Sequence, residues 1–137
     1  MVTLEVWYNQ EPENDYAGGE PAIVVRTADE LDSLIAQVQD DTKDVPVPSM
    51  VECSVSGDPS RGTFYLGIGQ HKGFVMFLAP ETAHTEGDTS LTNTVLYDFM
   101  AHTQEIPARY EVGMAEARSS AWEFMTTGSL PTGRSGG

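Results

Sequence analysis

Cysteine, basic residues and long apolar runs are all scarce in this sequence. The single cysteine, Cys53, excludes an internal disulfide, a zinc site built from several thiolates and an iron–sulfur cluster. No apolar run approaches the roughly 18 residues that a membrane span needs, and residues 1–6 lack the basic and apolar regions of an export signal. We therefore expect a protein of the reducing cytoplasm that makes no membrane contact.

The scarcity of basic residues gives the chain a strongly negative charge. Lys and Arg together number 7 against 21 Asp and Glu, so the formal net charge is −14. A surface of this sign repels a phosphate backbone, and direct binding to nucleic acid is therefore not expected. The acids either keep the protein soluble or match the surface of a basic partner, and charge alone leaves both interpretations open.

Two helices are predicted, one early and one late. Thr27 to Glu30 form a capping box, in which the Thr27 hydroxyl accepts from the Glu30 amide and the Glu30 carboxylate accepts from the Thr27 amide. The apolar residues that follow recur at helical spacing, namely Leu31, Leu34, Ile35 and Val38. A second helix is predicted from about Val112 to Thr127, and Gly128 stands where a left-handed residue ends a helix.

Short apolar or alternating runs predict the strands of a sheet. There are six of them, at residues 3–8, 22–25, 50–55, 63–68, 74–79 and 94–99. Glycine-containing turns separate the middle runs, which predicts an antiparallel meander with 94–99 as its fourth strand. The fold class is therefore α+β, with an antiparallel sheet of about five to six strands and the two helices packed on one face. We expect residues 1–131 to form a single domain and residues 132–137 to form a flexible tail.

Residues that could carry catalysis do not fall into a recognisable pattern. His71, His84 and His102 lie 13 and 18 residues apart, without the closely spaced second ligand of a metal site, and His84 is interpreted as a surface loop residue. Cys53 shares its face of a strand with Val51 and Val55, so it is expected to be buried rather than nucleophilic. We predict no catalytic residue, no metal site and no cofactor.

Aromatic residues beside acids form the most distinctive local pattern. Trp7 and Tyr16 flank three acids, Glu11, Glu13 and Asp15, and aromatic anchors surrounded by charge are typical of a protein interface. The alternative for Trp7 is a place in the core of the first strand. A second group of acids, which could extend the interface, consists of Glu81, Glu86 and Asp88.

Three segments, taken in order, resemble the immunity protein 1 family of bacterial polymorphic toxin systems. They are residues 24–34 (VVRTADELDSL), 63–69 (TFYLGIG) and 106–131, whose alanine-rich helix ends in Phe124 and is followed by Thr127-Gly128 and Pro131. The resemblance extends over residues 20–131. Family members carry a tryptophan shortly after that proline, whereas residues 132–137 contain none.

The resemblance implies a small cytoplasmic antitoxin that is encoded beside a toxin, often a nucleic-acid deaminase or nuclease. Such a protein is not an enzyme and neutralises the toxin by protein–protein occlusion. Its partner is then a basic toxin domain that acts on nucleic acid, which agrees with the acidic charge of this chain. We expect a monomer or a weak dimer.

Two other classes of function stay open at the level of sequence. The first is a small-molecule-binding or biosynthetic accessory domain, with a pocket lined by Tyr65, Phe74, Phe77, Tyr97 and Trp122. The second is an enzyme that uses Tyr97, Asp98 and His102, which are close in the sequence. A deep polar pocket would favour the first class, whereas a solid core with an exposed acidic and aromatic surface would favour the antitoxin.

Overall fold

A computed structural model describes residues 2–8, 22–99, 102–130 and 135–136. These residues form two α-helices, α1 (Ala28–Thr42) and α2 (Met114–Thr127). They also form ten strands: β1 (Leu4–Trp7), β2 (Ile23–Val25), β3 (Ser49–Val55), β4 (Thr63–Ile68), β5 (Lys72–Ala79), β6 (Ala83–His84), β7 (Thr94–Phe99), β8 (His102–Pro107), β9 (Val112–Gly113) and β10 (Ser135–Gly136).

Both predicted helices are confirmed, together with their end signals. The Thr27 side chain accepts from the Glu30 amide over 3.1 Å, while the Glu30 carboxylate accepts from the Arg26 amide over 2.7 Å, one residue earlier than the capping box predicts. This backbone bond is the main reason that the pKa of Glu30 is lowered. Helix α2 ends at Gly128, whose φ of 70° is left-handed and whose amide donates to the Phe124 carbonyl. Neither of these described helices is long and apolar enough to cross a membrane.

Because successive side chains along a strand point to opposite sides, the sheet has two different faces. Strands β3, β4 and β5 form the predicted antiparallel meander, and β1 and β2 extend it beyond β3. Every second residue of these strands is buried beneath α1 and α2, including Val6, Cys53, Phe64 and Phe77. The prediction of an α+β fold with an early and a late helix on one face is confirmed.

The number of strands and the place of β7 differ from the prediction. Ten strands are formed within the described ranges rather than five to six, and β7 does not continue the meander. It pairs along its whole length with β8 and meets β3 through one parallel pair, Ser49 and Asp98. The sequence gives little sign of β8, because its first four residues are exposed and do not alternate. Strands β6, β9 and β10 have two residues each, too few to form a pattern.

The β7–β8 hairpin covers one end of the second face of the sheet. Met50, Phe74, Tyr97 and Ile106 are buried there in a small second core. Gly67 lies between the rings of Phe74 and Tyr97, and a side chain at this position would collide with both. The close approach of the hairpin therefore depends on this glycine. Partly buried side chains, including Tyr65, Met76 and Phe99, pack against the margin of this second core.

Candidate functional site

Beside the second core, the same face of the sheet presents a row of side chains that crosses five strands. The register pairs Trp7 with Glu52, Glu52 with Tyr65, Tyr65 with Met76, and Met76 with His84. These five residues, here called the open row, face away from the two helices because their neighbours along each strand point into the helix-covered core. Five strands therefore contribute one side chain each to a single line.

The middle of the open row places a carboxylate between two aromatic rings. Trp7, Glu52 and Tyr65 are each partly buried, so they are held by neighbours and still reach solvent. Phe99 of β7 packs edge-on against Tyr65, with ring centroids 5.6 Å apart. Burial, with a smaller contribution from the Glu52 carboxylate, raises the pKa of Tyr65. None of the ion pairs within the described residues includes Glu52.

A second line of side chains lies beside the open row on the same face. It pairs Glu5 with Ser54 and Ser54 with Thr63, and the last two hydroxyl oxygens are 3.2 Å apart. Two apolar side chains stand towards opposite sides of this surface, Val24 at 44% exposure on β2 and Leu78 at 43% on β5. The whole surface combines aromatic anchors, exposed apolar groups and two carboxylates, which is the composition of an interface with a polar margin.

His84 closes the open row at its β6 end and corrects a prediction. It was expected on a surface loop, whereas the structure places it in β6 with only 8% of its surface exposed. Its ring stacks on Tyr110 at a centroid distance of 3.8 Å, and its Nδ1 lies 2.9 Å from the Thr85 carbonyl oxygen. The Arg109 guanidinium is 5.6 Å from the centroid of the Tyr110 ring. The residues next to His84 in the sequence did not predict its burial, because Tyr110, which covers it, is distant in the sequence.

The predicted interface residues fall in different places. Trp7 belongs to the open row, while Glu81, Glu86 and Asp88 are exposed in the segments that follow β5 and β6. Strands β3, β4 and β5 separate β1 from β6, so Trp7 and these acids do not form one compact patch. The remaining predicted residues lie outside the described residues: Glu11, Glu13, Asp15 and Tyr16.

Two residues of the open row, Glu52 and Met76, were not predicted from the sequence, and Tyr65 was predicted only as the lining of a small-molecule pocket. A signal for Glu52 was nevertheless present. The alternation that places Val51, Cys53 and Val55 in the core places Glu52 on the opposite face of β3. The sequence did not supply the register that brings β1, β4 and β5 into line with it.

The pocket expected for a small-molecule-binding protein is not formed by the five aromatic residues proposed for it. Phe77 and Trp122 pack in the helix-covered core, whereas Phe74 and Tyr97 lie in the second core on the other side of the sheet. An open cavity of about 420 Å³ exists elsewhere, between the loop after α1 and the β4–β5 turn. Of the five aromatic residues, Tyr97 alone lines it, and its hydroxyl donates to Glu111 Oε2 over 2.6 Å.

The residues considered for catalysis do not converge. Tyr97 is buried and bonded to Glu111, while Asp98, on the opposite side of β7, accepts from the Thr103 hydroxyl over 3.0 Å. Cys53 is completely buried, and this burial raises the pKa of its thiol. Over the described ranges, no group of three or more His, Cys, Asp or Glu side chains could hold a metal ion.

Fold and surface together describe a small α+β protein with one helix-covered face and one acidic, aromatic face. The model of a family described as immunity protein Imm1 matches residues 19–134. Since this match covers most of the chain, the protein belongs to the Imm1 family of immunity proteins, and the resemblance found in its sequence is confirmed. Membership implies a toxin as its partner. Among curated proteins, none matches the chain closely enough to count as a relative.

Proposed function

We propose that this immunity protein neutralises a nucleic-acid deaminase or nuclease toxin by binding it one to one. The contact surface is the face of the sheet that carries the open row, here called the open face. The observation that supports this most directly is the open row, in which Glu52 lies between Trp7 and Tyr65. The complex forms in the cytoplasm, and the free protein is a monomer or a weak dimer. The protein itself performs no catalysis.

The chemistry of such a toxin explains why an acidic face suits it. An enzyme that binds nucleic acid needs a basic surface to attract phosphates. A protein with a net charge of −14 is drawn to the same surface, which speeds association and disfavours other partners. By occupying that surface, the immunity protein keeps the substrate out of the active site.

Affinity and selectivity come from different parts of the face. Partly buried aromatic residues such as Trp7 and Tyr65 supply binding energy, because they lose much apolar surface to water at little entropic cost. The carboxylates of Glu5 and Glu52 supply selectivity for a basic partner. We assign further electrostatic contacts to the other predicted acids and to one aromatic residue: Glu11, Glu13, Asp15, Tyr16, Glu81, Glu86 and Asp88.

The test uses the purified toxin domain encoded next to this protein. Binding is measured by calorimetry at low and at physiological salt, and inhibition is measured on single-stranded and double-stranded DNA and RNA. We expect 1:1 binding that weakens as salt rises, and inhibition that tracks occupancy. Absence of binding at both salt concentrations would contradict the proposal.

A pair of charge reversals locates the surface. Glu52→Lys changes the open row, whereas Asp44→Lys makes the same change of charge at an exposed residue after α1. Glu52→Lys should weaken toxin binding at least about 30-fold, and Asp44→Lys less than about 3-fold, because long-range attraction alone is screened by salt. Equal effects of the two variants would assign the binding to net charge and not to this face.

A further inference from the structure

The open row offers a specific site for one kind of side chain. Glu52 stands between Trp7 and Tyr65 on three adjacent strands, β1, β3 and β4. Adjacent strands are about 4.8 Å apart, so the side chains on either side of the carboxylate begin about that distance from it. A cation that approaches Glu52 therefore meets a carboxylate and two aromatic side chains at the same time.

The nature of these three groups favours guanidinium over ammonium. A guanidinium group is planar, forms two parallel hydrogen bonds with a carboxylate and stacks on aromatic rings. An ammonium group makes a point contact and keeps its water more strongly. The edge-on packing of Phe99 holds Tyr65 in place, so part of the site is already ordered before a partner arrives.

The site is also open to an incoming cation. Glu52 is partly buried, and within the described part of the chain no Lys or Arg forms an ion pair with it. Residues 9–21, which follow β1 in the sequence, add four acids and no base. The Tyr65 hydroxyl donates to the Glu52 carboxylate, which as an ionised group can accept about three further hydrogen bonds. The net charge of −14 attracts a cation to this surface.

We propose that Glu52, flanked by Trp7 and Tyr65, is the subsite that receives an arginine side chain of the toxin. This inference rests on the proposed function, since it names the group of the partner that the open face recognises. It assigns Glu52 the role of orienting the complex, and it assigns the two aromatic rings the role of selecting arginine over lysine.

The subsite can be tested without the toxin. The probes are N-acetyl-arginine amide and N-acetyl-lysine amide, added to the Trp122→Phe protein so that Trp7 is the remaining tryptophan. The resonance of the Trp7 indole N–H is followed by NMR. We expect the arginine probe to shift it at concentrations at least about 3-fold lower than the lysine probe, and Glu52→Gln to remove this preference. Equal responses to the two probes would overturn the proposal.

The same variant is then tested in the complex. Glu52→Gln keeps the shape of the side chain, and its matched control is Glu105→Gln on the exposed part of β8. We expect the first to raise the toxin Kd at least about 10-fold and the second less than about 2-fold. Each arginine of the toxin is then replaced by lysine. One of these replacements should raise the Kd for the wild-type immunity protein and leave the Kd for Glu52→Gln unchanged.

The outcomes separate this inference from the proposed function. If the toxin binds the wild-type and Glu52→Gln proteins with the same Kd, the subsite is wrong and the immunity function stands. If the toxin does not bind at all while the arginine probe still does, the proposed function fails, and with it the assignment of the arginine to the toxin. Thermal unfolding of both glutamine variants verifies that they are folded.

Discussion

The two faces of the sheet are made by the same strands and differ in what covers them. On the helix-covered face, the rings of Phe64, Phe77 and Phe124 lie 5.0 to 5.6 Å apart and are almost completely buried. On the other face, the β7–β8 hairpin covers part of the surface, and Tyr65, which packs against Phe99 of β7, and Trp7 are only partly buried. Because side chains alternate between the faces, one strand contributes to both without conflict.

This difference separates the surface that stabilises the fold from the surface that we propose for toxin recognition. The helix-covered face contains most of the buried apolar residues and therefore most of the hydrophobic free energy of folding. The open face can change its side chains at a smaller cost to the fold, since they are only partly buried. Our proposal therefore places fold stability and toxin recognition on opposite sides of one sheet.

The largest expected loss of fold stability comes from a substitution on the helix-covered face. Phe124→Ala should lower the free energy of unfolding by about 3–5 kcal/mol, because it leaves a cavity between Phe64 and Phe77. Urea unfolding followed by circular dichroism measures the loss. Thr126→Ala, exposed on the same helix, is the control and should change stability by less than about 0.5 kcal/mol. A loss below about 1.5 kcal/mol for Phe124→Ala would contradict the central place of this ring.

The next largest effect is expected on the open face, where a substitution should reduce toxin binding more than it reduces fold stability. Trp7→Ala should weaken toxin binding by about 2–4 kcal/mol while destabilising the fold less than Phe124→Ala does, because Trp7 lies in the proposed interface and is only partly buried. Calorimetry with the toxin domain and urea unfolding of the free protein measure the two quantities. Trp7→Phe is the control and should retain part of the binding. Comparable losses of stability in Trp7→Ala and Phe124→Ala would place Trp7 in the core instead.

The features that the sequence predicted well are local or have strict periodicity. The Thr27 cap, the apolar stripe of α1 and the glycine that ends α2 each depend on residues a few positions apart. The meander of β3, β4 and β5 is likewise encoded in short runs with nearby turns. These elements also explain the burial of Cys53, which follows from alternation along one strand.

The features that escaped prediction depend on pairing between distant residues. Strand β7 has the apolar pattern of a meander strand, yet its partner is the polar β8, in which Ile106 provides the buried contact. His84 looked like a loop residue because its burial comes from Tyr110, 26 positions later. The open row combines side chains from five strands, and only the register of the folded sheet brings Glu52 between Trp7 and Tyr65.

A third prediction concerns the second core, where the β7–β8 hairpin packs on the sheet. Gly67→Ala should lower the free energy of unfolding by about 1–3 kcal/mol, because the added methyl group overlaps the ring of Phe74 and touches that of Tyr97. Hydrogen exchange should show faster opening of the β7–β8 hairpin than of β3 and β4. Phe74→Leu in the same protein makes room for the methyl group, so the double variant should be more stable than the sum of the two losses predicts. Strict additivity would contradict the proposed collision.

The smallest effect concerns the outer side of the helical layer, where Arg118 of α2 pairs with Asp32 of α1. Both contacts have good geometry, with Nε to Oδ1 at 2.8 Å and Nη2 to Oδ2 at 3.1 Å. Asp32 is nevertheless exposed and Arg118 is only partly buried, so a double-mutant cycle with Asp32→Asn and Arg118→Gln should give a coupling of about 0.2–1 kcal/mol. Toxin binding should not change, since this pair lies on the side of the sheet opposite the open row.

The pH dependence of this pair shows whether the coupling is electrostatic. The hydrogen bond from Arg118 is the main reason that the pKa of Asp32 lies below its usual value of 3.8. A carboxylate with a lowered pKa stabilises the folded state fully above its unfolded pKa and loses that contribution as pH falls through the folded pKa. The difference in stability between wild type and Asp32→Asn should therefore be constant from pH 7 to about 5 and should shrink below about pH 4. A difference that stays the same at pH 3 would mean that packing of the two side chains, and not their charge, connects α1 with α2.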